Sequence, residues 1–411
     1  MNACLKTLFF GLIMAAFSPA LSGWECGLLF SNEFRFENTV AAIDNPNEIY
    51  ESGRISSWFS FRPAPMTSIY LKAGVSAINE AVLSNIENWK IAPELDSARL
   101  TIFPDPAFFA ELGRIPFSDI ISLSANGMFD GAKLRFSAGE HGISASAFYT
   151  GLLYKETAKI FLNAQDKDDY YRQNYFAPPH LLMSLAYHFK PESLEGSRFS
   201  AEFIREADMR KGSTSSTMFF LAGAALVLKE NITMDAGGLL SAGVESDEST
   251  IGLAALFSLR VHLNQPLKAE LSFNTNLFWG ALDEPLPLPF INKRQVGLIY
   301  DPEVARLLNL QLIYTAILTP TLSFNTSLML FARLDSDYMP DFWQYIDYQN
   351  ENANGFLLGE EFYAGVIWTP LSDLSFNISA IFFFPDNGPD SVYIRNTPMK
   401  WDLRLGLLIS M

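Results

Sequence analysis

The sequence has almost no cysteine or histidine, the residues on which many metal sites and nucleophilic active sites depend. It contains two cysteines and four histidines in 411 residues, and Cys4 lies in a segment that we expect to be removed. No internal disulfide framework is therefore expected. Cys pairs, phosphate-binding loops and His-Glu-x-x-His spacing do not occur, and no Ser or Asp has a diagnostic spacing to a histidine. We expect no enzyme, no cofactor and no metal.

Basic residues are also scarce, and long apolar runs are missing beyond the N-terminus. The chain carries 29 Lys and Arg against 45 Asp and Glu, for a formal net charge of −16. Nucleic-acid binding needs a basic footprint, so no nucleic-acid partner is expected. Although 49% of the residues are hydrophobic, no later stretch approaches the roughly 18 consecutive apolar residues of a membrane-spanning helix.

The N-terminus is typical of an exported protein. Lys6 precedes a short apolar run over Leu8–Phe17, and small residues follow as far as Gly23. A basic start, a short apolar segment and small residues form a cleavable secretory signal. A buried first helix is the alternative, but nothing amphipathic follows the run. We predict a signal peptide over residues 1–23 and one exported domain over residues 24–411.

Beyond this point the apolar residues alternate with polar ones. The segment TIGLAALFSLRVHL (250–263) and the last twelve residues, KWDLRLGLLISM (400–411), place apolar side chains on every second position. A period of two predicts β-strands. Sandwich strands usually have about five or six residues, whereas strands tilted across a bilayer need about 9–11. Many alternating segments of this sequence reach the longer strand length, which favours a transmembrane barrel.

The connections between these segments alternate between short turns and long loops. Eight turns and nine loops can be assigned from the sequence, which predicts roughly 18 strands with both ends on the periplasmic side. A count of 16 is the alternative, because Ile291–Tyr300 is ambiguous; we place this segment in a long loop. The predicted fold is all-β: a single transmembrane antiparallel up-and-down β-barrel. Its first strand, Gly27–Phe36, should close the barrel against Lys400–Met411. Barrels of 16 to 18 strands leave an aqueous channel.

One region carries more than periodicity. It has the order Leu112-Gly113-Arg114, a loop containing Asp119, and then Phe129-Asp130-Gly131-Ala132. This order resembles the alginate-export type of outer-membrane porin, and the resemblance implies an 18-stranded channel for anionic saccharides or other small solutes. The alternative is purely structural: Gly113 and Gly131 lie where another part of the backbone approaches closely.

The residues that alternate with the apolar face should line the lumen. Basic residues lining a channel lower the barrier for anions, and Arg99, Lys133 and Arg135 would form a basic track. The alternative is that these charges pair with carboxylates across the lumen. The predicted pore-lining residues are Lys72, Arg99, Lys133, Arg135, Arg260, Lys268, Arg404, Asp235 and Glu270, with Glu202 and Asp402 among them.

The long connection over residues 279–307 is proline-rich and mixes apolar with charged stretches. It either folds inward as a constriction or lies on the surface. If it folds inward, Lys293, Arg294 and Asp301 are the constriction candidates.

We therefore predict a channel of the outer membrane for small hydrophilic solutes, with anionic solutes as the candidates. Its expected partners are outer-membrane lipid, the solute, and the barrel-assembly machinery, although the chain ends on Met411 where the assembly signal usually ends on Phe. The oligomeric state stays open. The alternatives are a surface adhesin or structural barrel and a barrel resembling fatty-acid transporters.

Overall fold

A computed structural model gives the fold of the chain. It describes residues 24–38, 48–82, 89–172, 174–213, 215–245, 248–263, 268–281, 290–292, 295–300, 304–335, 354–393 and 398–411. The predicted signal peptide, residues 1–23, lies outside these ranges and stays a prediction.

Eighteen antiparallel strands form one closed sheet, as the alternation of turns and loops predicts. The barrel strands are β1 (Trp24–Glu37), β2 (Glu48–Ala64), β3 (Thr67–Val82), β4 (Trp89–Asp105), β5 (Phe108–Ser118), β6 (Asn126–Ala138), β7 (His141–Tyr149), β9 (His180–Phe189), β10 (Arg198–Asp208), β11 (Ser216–Lys229), β12 (Ile232–Glu245), β13 (Glu248–Leu263), β14 (Lys268–Ala281), β16 (Leu307–Thr319), β17 (Leu322–Arg333), β18 (Leu357–Leu371), β19 (Leu374–Pro385) and β20 (Lys400–Ser410).

The remaining elements are short and belong to the connections. Strands β8 (Ile160–Phe161) and β15 (Phe290–Asn292) pair with each other outside the main sheet. Helices α1 (Lys155–Ala158) and α2 (Ala164–Tyr171) lie between β7 and β9. None of the helices in the described ranges is long and apolar enough to cross a membrane. The described residues of the ambiguous segment, 291–292 and 295–300, contribute no barrel strand, as expected.

The last strand closes the barrel on the first. Strand β20 pairs with β1 from Leu29–Ser410 to Glu37–Asp402, which confirms the predicted seam. An apolar terminal strand would be an aggregation-prone edge on its own, and closure of the barrel removes that edge.

The two faces of the wall differ as the alternation requires. On β20, the side chains of Leu403 and Leu405 lie on the outer face, where they are 41% and 46% exposed, while Asp402 is fully buried inside. Strand β3 shows the same division, with Leu71 and Val75 exposed outside. A continuous apolar outer face of this kind contacts lipid.

Three connections fold into the barrel and build an apolar core there. They are the loops over residues 119–125, 150–179 and 290–306, and their side chains form one cluster with inward-facing wall residues. The backbone N–H of Ile291 donates to Ser124 O at 2.9 Å, and Asn292 Nδ2 donates to Ala158 O at 2.6 Å. These bonds join all three loops. Side chains from several parts of the sequence therefore fill part of the lumen.

Candidate pore and its lining

One side of the lumen is lined by ion pairs that link neighbouring strands. Arg35 of β1 and Arg404 of β20 both contact Asp402 Oδ2 at 2.7 Å. Arg35 also contacts Glu37 at 3.1 Å. Because Asp402 is fully buried, its carboxylate needs such partners. The two arginines are thus held against the wall at the closing seam.

The ion pairs continue from β2 to β5. Arg54 lies 3.3 Å from Glu94 and also contacts Asp96, while Lys72 lies 3.7 Å from Asp96. The row ends with a pair in which Arg99 lies 3.4 Å from Glu111. On this side of the barrel, basic side chains of one strand therefore neutralise acidic side chains of the next.

The structure places the predicted pore-lining side chains on the inner face, but most of them are paired. Arg260 contacts Asp235, and His262 lies 3.2 Å from Glu270. Glu202 accepts hydrogen bonds from Ser184 and from the backbone N–H of Ile120. The inner-face residues of the prediction are Lys72, Arg99, Lys133, Arg135, Arg260, Lys268, Arg404, Asp235, Glu270, Glu202 and Asp402.

Like Lys268 on β14, Lys133 and Arg135 differ from the paired cations of the prediction. They lie two positions apart on the inner face of β6, and neither forms an ion pair with a carboxylate of the described ranges. Arg135 is exposed and Lys133 is half-buried. Glu111 neutralises Arg99. Of the three cations in the predicted basic track, only Lys133 and Arg135 therefore lack an ion-pair partner in the described ranges.

Amide side chains line part of the opposite wall, on β14 and β16. Asn274 donates to Gln311 at 3.3 Å, and Asn276 donates to Asn309 at 3.2 Å. A cavity of about 230 Å³ lies between this wall and the loop over residues 290–306. Its lining consists of Asn276, Gln295, Val296, Gly297, Leu298, Asn309, Gln311 and Met329. The lumen therefore offers paired charges from β20 to β5 and amides on β14 and β16.

A single buried carboxylate holds the 290–306 loop inside the barrel. Glu361 of β18 accepts hydrogen bonds from the backbone N–H groups of Leu298, Ile299 and Tyr300 at 2.8, 2.7 and 3.0 Å. Glu361 is fully buried. The ring of Tyr300 stacks on Phe383 of β19, with ring centroids 4.4 Å apart. The constriction candidates Lys293, Arg294 and Asp301 lie outside the described residues.

A second buried network holds the 150–179 loop. Arg210 contacts Asp166, Asp169 and Asp208 at 2.8, 2.9 and 2.6 Å. Burial opposes its charge, but the hydrogen bonds and attraction from these aspartates raise the pKa of Arg210 above its usual range. His180 lies between Glu206 and Asp166, at 2.6 and 3.1 Å from its two ring nitrogens.

The His180 contacts are buried and structural. His180, Asp166 and Glu206 are all buried, with exposed fractions of 0%, 0% and 1%. The hydroxyl of Thr150 donates to Pro178 O and accepts a hydrogen bond from the backbone N–H of His180. The network anchors helix α2 to β9 and β10 inside the lumen.

We expect the Arg210→Ala variant to loosen this anchor. Its loss leaves three buried or half-buried aspartates without their common cation, and breaking such a network costs roughly 3–5 kcal/mol. Hydrogen exchange should show faster exchange in residues 150–172. Arg172→Ala is the matched control, because its side chain is 66% exposed and contacts Asp169 alone among these aspartates. Equal exchange in both variants would contradict the anchoring role.

Sequence reasoning missed several of these residues. Arg35 and Arg54 lie on the polar face of their strands. The alternation of apolar and polar positions was therefore sufficient to predict that they face the lumen. Glu361 follows Glu360 in the sequence, and only the pairing of β17 with β18 shows which of the two faces the lumen. Nothing in the sequence indicated the contact between Arg210 and helix α2.

The sequence matches no protein-family model and no curated protein. Solved structures do match the fold. One is OccK5 (OpdH) of Pseudomonas aeruginosa, with a TM-score of 0.59 and 11% identity, covering 95% of this chain and 98% of that chain. Another is OccAB1 of Acinetobacter baumannii, with a TM-score of 0.58 and 12% identity, covering 94% of this chain and 96% of that chain.

The likeness to these proteins is one of fold. It agrees with the closed antiparallel barrel and its lipid-facing outer surface, so the chain has the architecture of an outer-membrane β-barrel. The finer resemblance to alginate-export channels is not confirmed, because the matching structures named above are Occ proteins.

Proposed function

We propose that this barrel is an outer-membrane channel for small hydrophilic solutes and that it favours anions. The channel rests on the barrel size, since 16 to 18 strands leave an aqueous lumen, and on the likeness to the Occ porins. The anion preference rests on one observation: Lys133 and Arg135 face the lumen without an ion-pair partner among the described residues.

The proposed mechanism assigns separate tasks to the wall and the loops. The paired charges from β20 to β5 give the lumen polar contacts without much net charge, so they tolerate solutes of either sign. Lys133 and Arg135 add positive potential that lowers the barrier for anions and raises it for cations. The three inward loops narrow the lumen, and the amides opposite supply hydrogen bonds.

Export, membrane insertion and solute class follow the predictions from the sequence. The chain is exported with a cleaved signal peptide and inserted by the barrel-assembly machinery. It has no enzymatic activity, and its solutes include the anionic saccharides implied by the resemblance to alginate-export channels. A surface adhesin with a closed lumen is the competing function.

Recordings of folded protein in planar bilayers test the proposal. In a salt gradient, we expect a reversal potential that indicates anion preference, and we expect Lys133→Ala combined with Arg135→Ala to abolish this preference. Arg260→Ala with Asp235→Ala is the matched control, since it removes one lumen pair without changing the net charge. Cation preference in the wild-type protein would refute the anion assignment, and a nonconducting barrel would refute the channel.

A further inference from the structure

The seam between β4 and β5 is paired over only part of its length. Pairing runs from Asp105–Phe108 to Ala98–Arg114, and beyond it β4 continues to Trp89 and β5 to Ser118 without pairing to each other. The paired part of β4 is eight residues long, whereas crossing the bilayer takes about 9–11. The wall therefore opens at the end of the seam that lies away from the Asp105–Phe108 turn.

The glycines of the sequence motif lie where the two strands separate. Gly113 pairs with Arg99, one position before the final pair of this seam. Its φ is +109°, and a Cβ at this position would lie 2.0 Å from Ala98 O. Gly131 faces Gly113 on β6, and its Cβ would lie 2.0 Å from Ala147 O. The close approach expected from the sequence is thus present at both positions.

Beyond Gly113, β5 leaves its neighbour and packs inward. Ile115 and Phe117 are buried in the core of the inner loops, and Phe117 contacts Phe129 edge to face with ring centroids 5.8 Å apart. The inward packing separates β5 from β4. The Leu112-Gly113-Arg114 and Phe129-Asp130-Gly131 segments therefore build the opening in the wall.

Arg114 spans the opening. Its guanidinium binds Asp130 with two hydrogen bonds of 2.8 and 2.6 Å. It also donates to the backbone oxygens of Leu95 and Leu152 at 2.7 and 2.9 Å. Unpaired backbone groups cost several kcal/mol in hydrocarbon. Arg114 thus satisfies part of the open edge of β4 and ties the 150–179 loop to it.

A cavity of about 360 Å³ remains in this opening. It is lined by Arg54 and Asp96, which face the lumen, and by Leu95 and Met128, which occupy outward-facing positions of their strands. A cavity lined from both faces passes into the wall itself. Its volume lies in the range of ligand pockets, roughly 300–1,000 Å³, and Leu95 is 41% exposed on the outside.

We propose that this cavity binds a single-chain amphiphile with a zwitterionic head group. Two cations and two carboxylates line the cavity in balance, which suits a head group that carries both charges. The apolar side chains of Leu95, Met128 and Leu153 provide a path for the acyl chain towards the lipid. The charged lining consists of Arg54, Arg114, Glu94 and Asp96.

Photocrosslinking of the full chain in lipid vesicles tests this site. The probe is lysophosphatidylcholine with a diazirine on its acyl chain, and labelled peptides are identified by mass spectrometry. We expect labelling at Leu95, Met128 and Leu153 that excess unlabelled probe suppresses. The comparison site is the continuously paired β12–β13 seam, where Leu240 and Leu253 face lipid. Equal labelling at both seams, or labelling that is not suppressed, would overturn the proposal.

Variants and competitors sharpen the test. Met128→Trp should fill the cavity and remove the suppressible labelling of Leu95, while Leu253→Trp, the matched control, should leave it unchanged. Retained labelling in Met128→Trp counts against the site. Dodecanoate should compete at least tenfold more weakly than the zwitterion, and equal competition would refute the head-group assignment. If a variant does not assemble, competition on the wild-type protein decides. Anion selectivity is not part of these readouts, so they do not depend on the proposed channel.

Discussion

Replacing Glu361 by alanine should raise the single-channel conductance severalfold. The substitution removes the carboxylate that accepts the N–H groups of Leu298, Ile299 and Tyr300. Hydrogen bonds to a charged group contribute about 1.5–3 kcal/mol each, so at least about 4 kcal/mol of anchoring is lost. Since 1.4 kcal/mol is a factor of ten, the loop should shift from the docked state to a largely released one.

The stacking of Tyr300 on Phe383 opposes this release, and its loss should add to the effect. Planar bilayer recordings measure the conductance directly, and Glu361→Ala combined with Tyr300→Ala should conduct more than either single variant. Glu360→Ala is the matched control, because this neighbouring carboxylate is exposed and lies on the other face of β18. If Glu361→Ala and Glu360→Ala conduct alike, the carboxylate does not hold a constricting loop.

Replacing Gly131 by valine should prevent assembly of the barrel. A Cβ at this position would lie 2.0 Å from Ala147 O and 2.9 Å from Phe148 Cα. Both atoms belong to the backbone of β7, so relief requires the strands to move apart and to lose their pairing. We expect destabilisation above about 4–5 kcal/mol, the range of exceptional single substitutions. Heat-modifiable gel migration should show loss of the folded form.

Gly53→Ala is the matched control for this prediction. Gly53 lies within β2, and its Cβ would meet a single atom within 4 Å, Asn32 Nδ2 at 3.6 Å. This is ordinary van der Waals contact, so the variant should assemble as the wild-type protein does. Normal assembly of Gly131→Val would show that β6 and β7 are further apart than described. The structural interpretation of the glycine motif would then fail.

The seam between β20 and β1 was predicted from the alternation of apolar and polar residues. Alternation in Lys400–Met411 was enough to predict a strand, its lipid-facing residues and its partner, and the register of β20 with β1 agrees. This success has a simple cause. In a barrel the side-chain period is exactly two, and every strand has one face in lipid and one in the lumen. Fold class, approximate strand number and the alternation of the two faces therefore follow from the sequence.

The state of each lumen charge could not be read in the same way. Arg99 and Lys133 are equivalent by parity, yet Arg99 meets Glu111 at 3.4 Å while Lys133 has no ion-pair partner in the described ranges. Pairing depends on cross-strand register and on bulges such as the one between Lys72 and Ala73, where β4 shifts against β3. A shift of one residue changes which charges meet.

The sequence by itself determined a barrel of roughly 18 strands, its closure and the alternation of its two faces, because these depend on short-range periodicity. Only the tertiary structure decided what occupies the lumen. The contacts of Arg210 with Asp166, of Glu361 with the 298–300 backbone and of Arg114 with Leu152 join residues far apart in the chain. Such contacts arise from loops folding back across the barrel, and no periodic signal encodes that path.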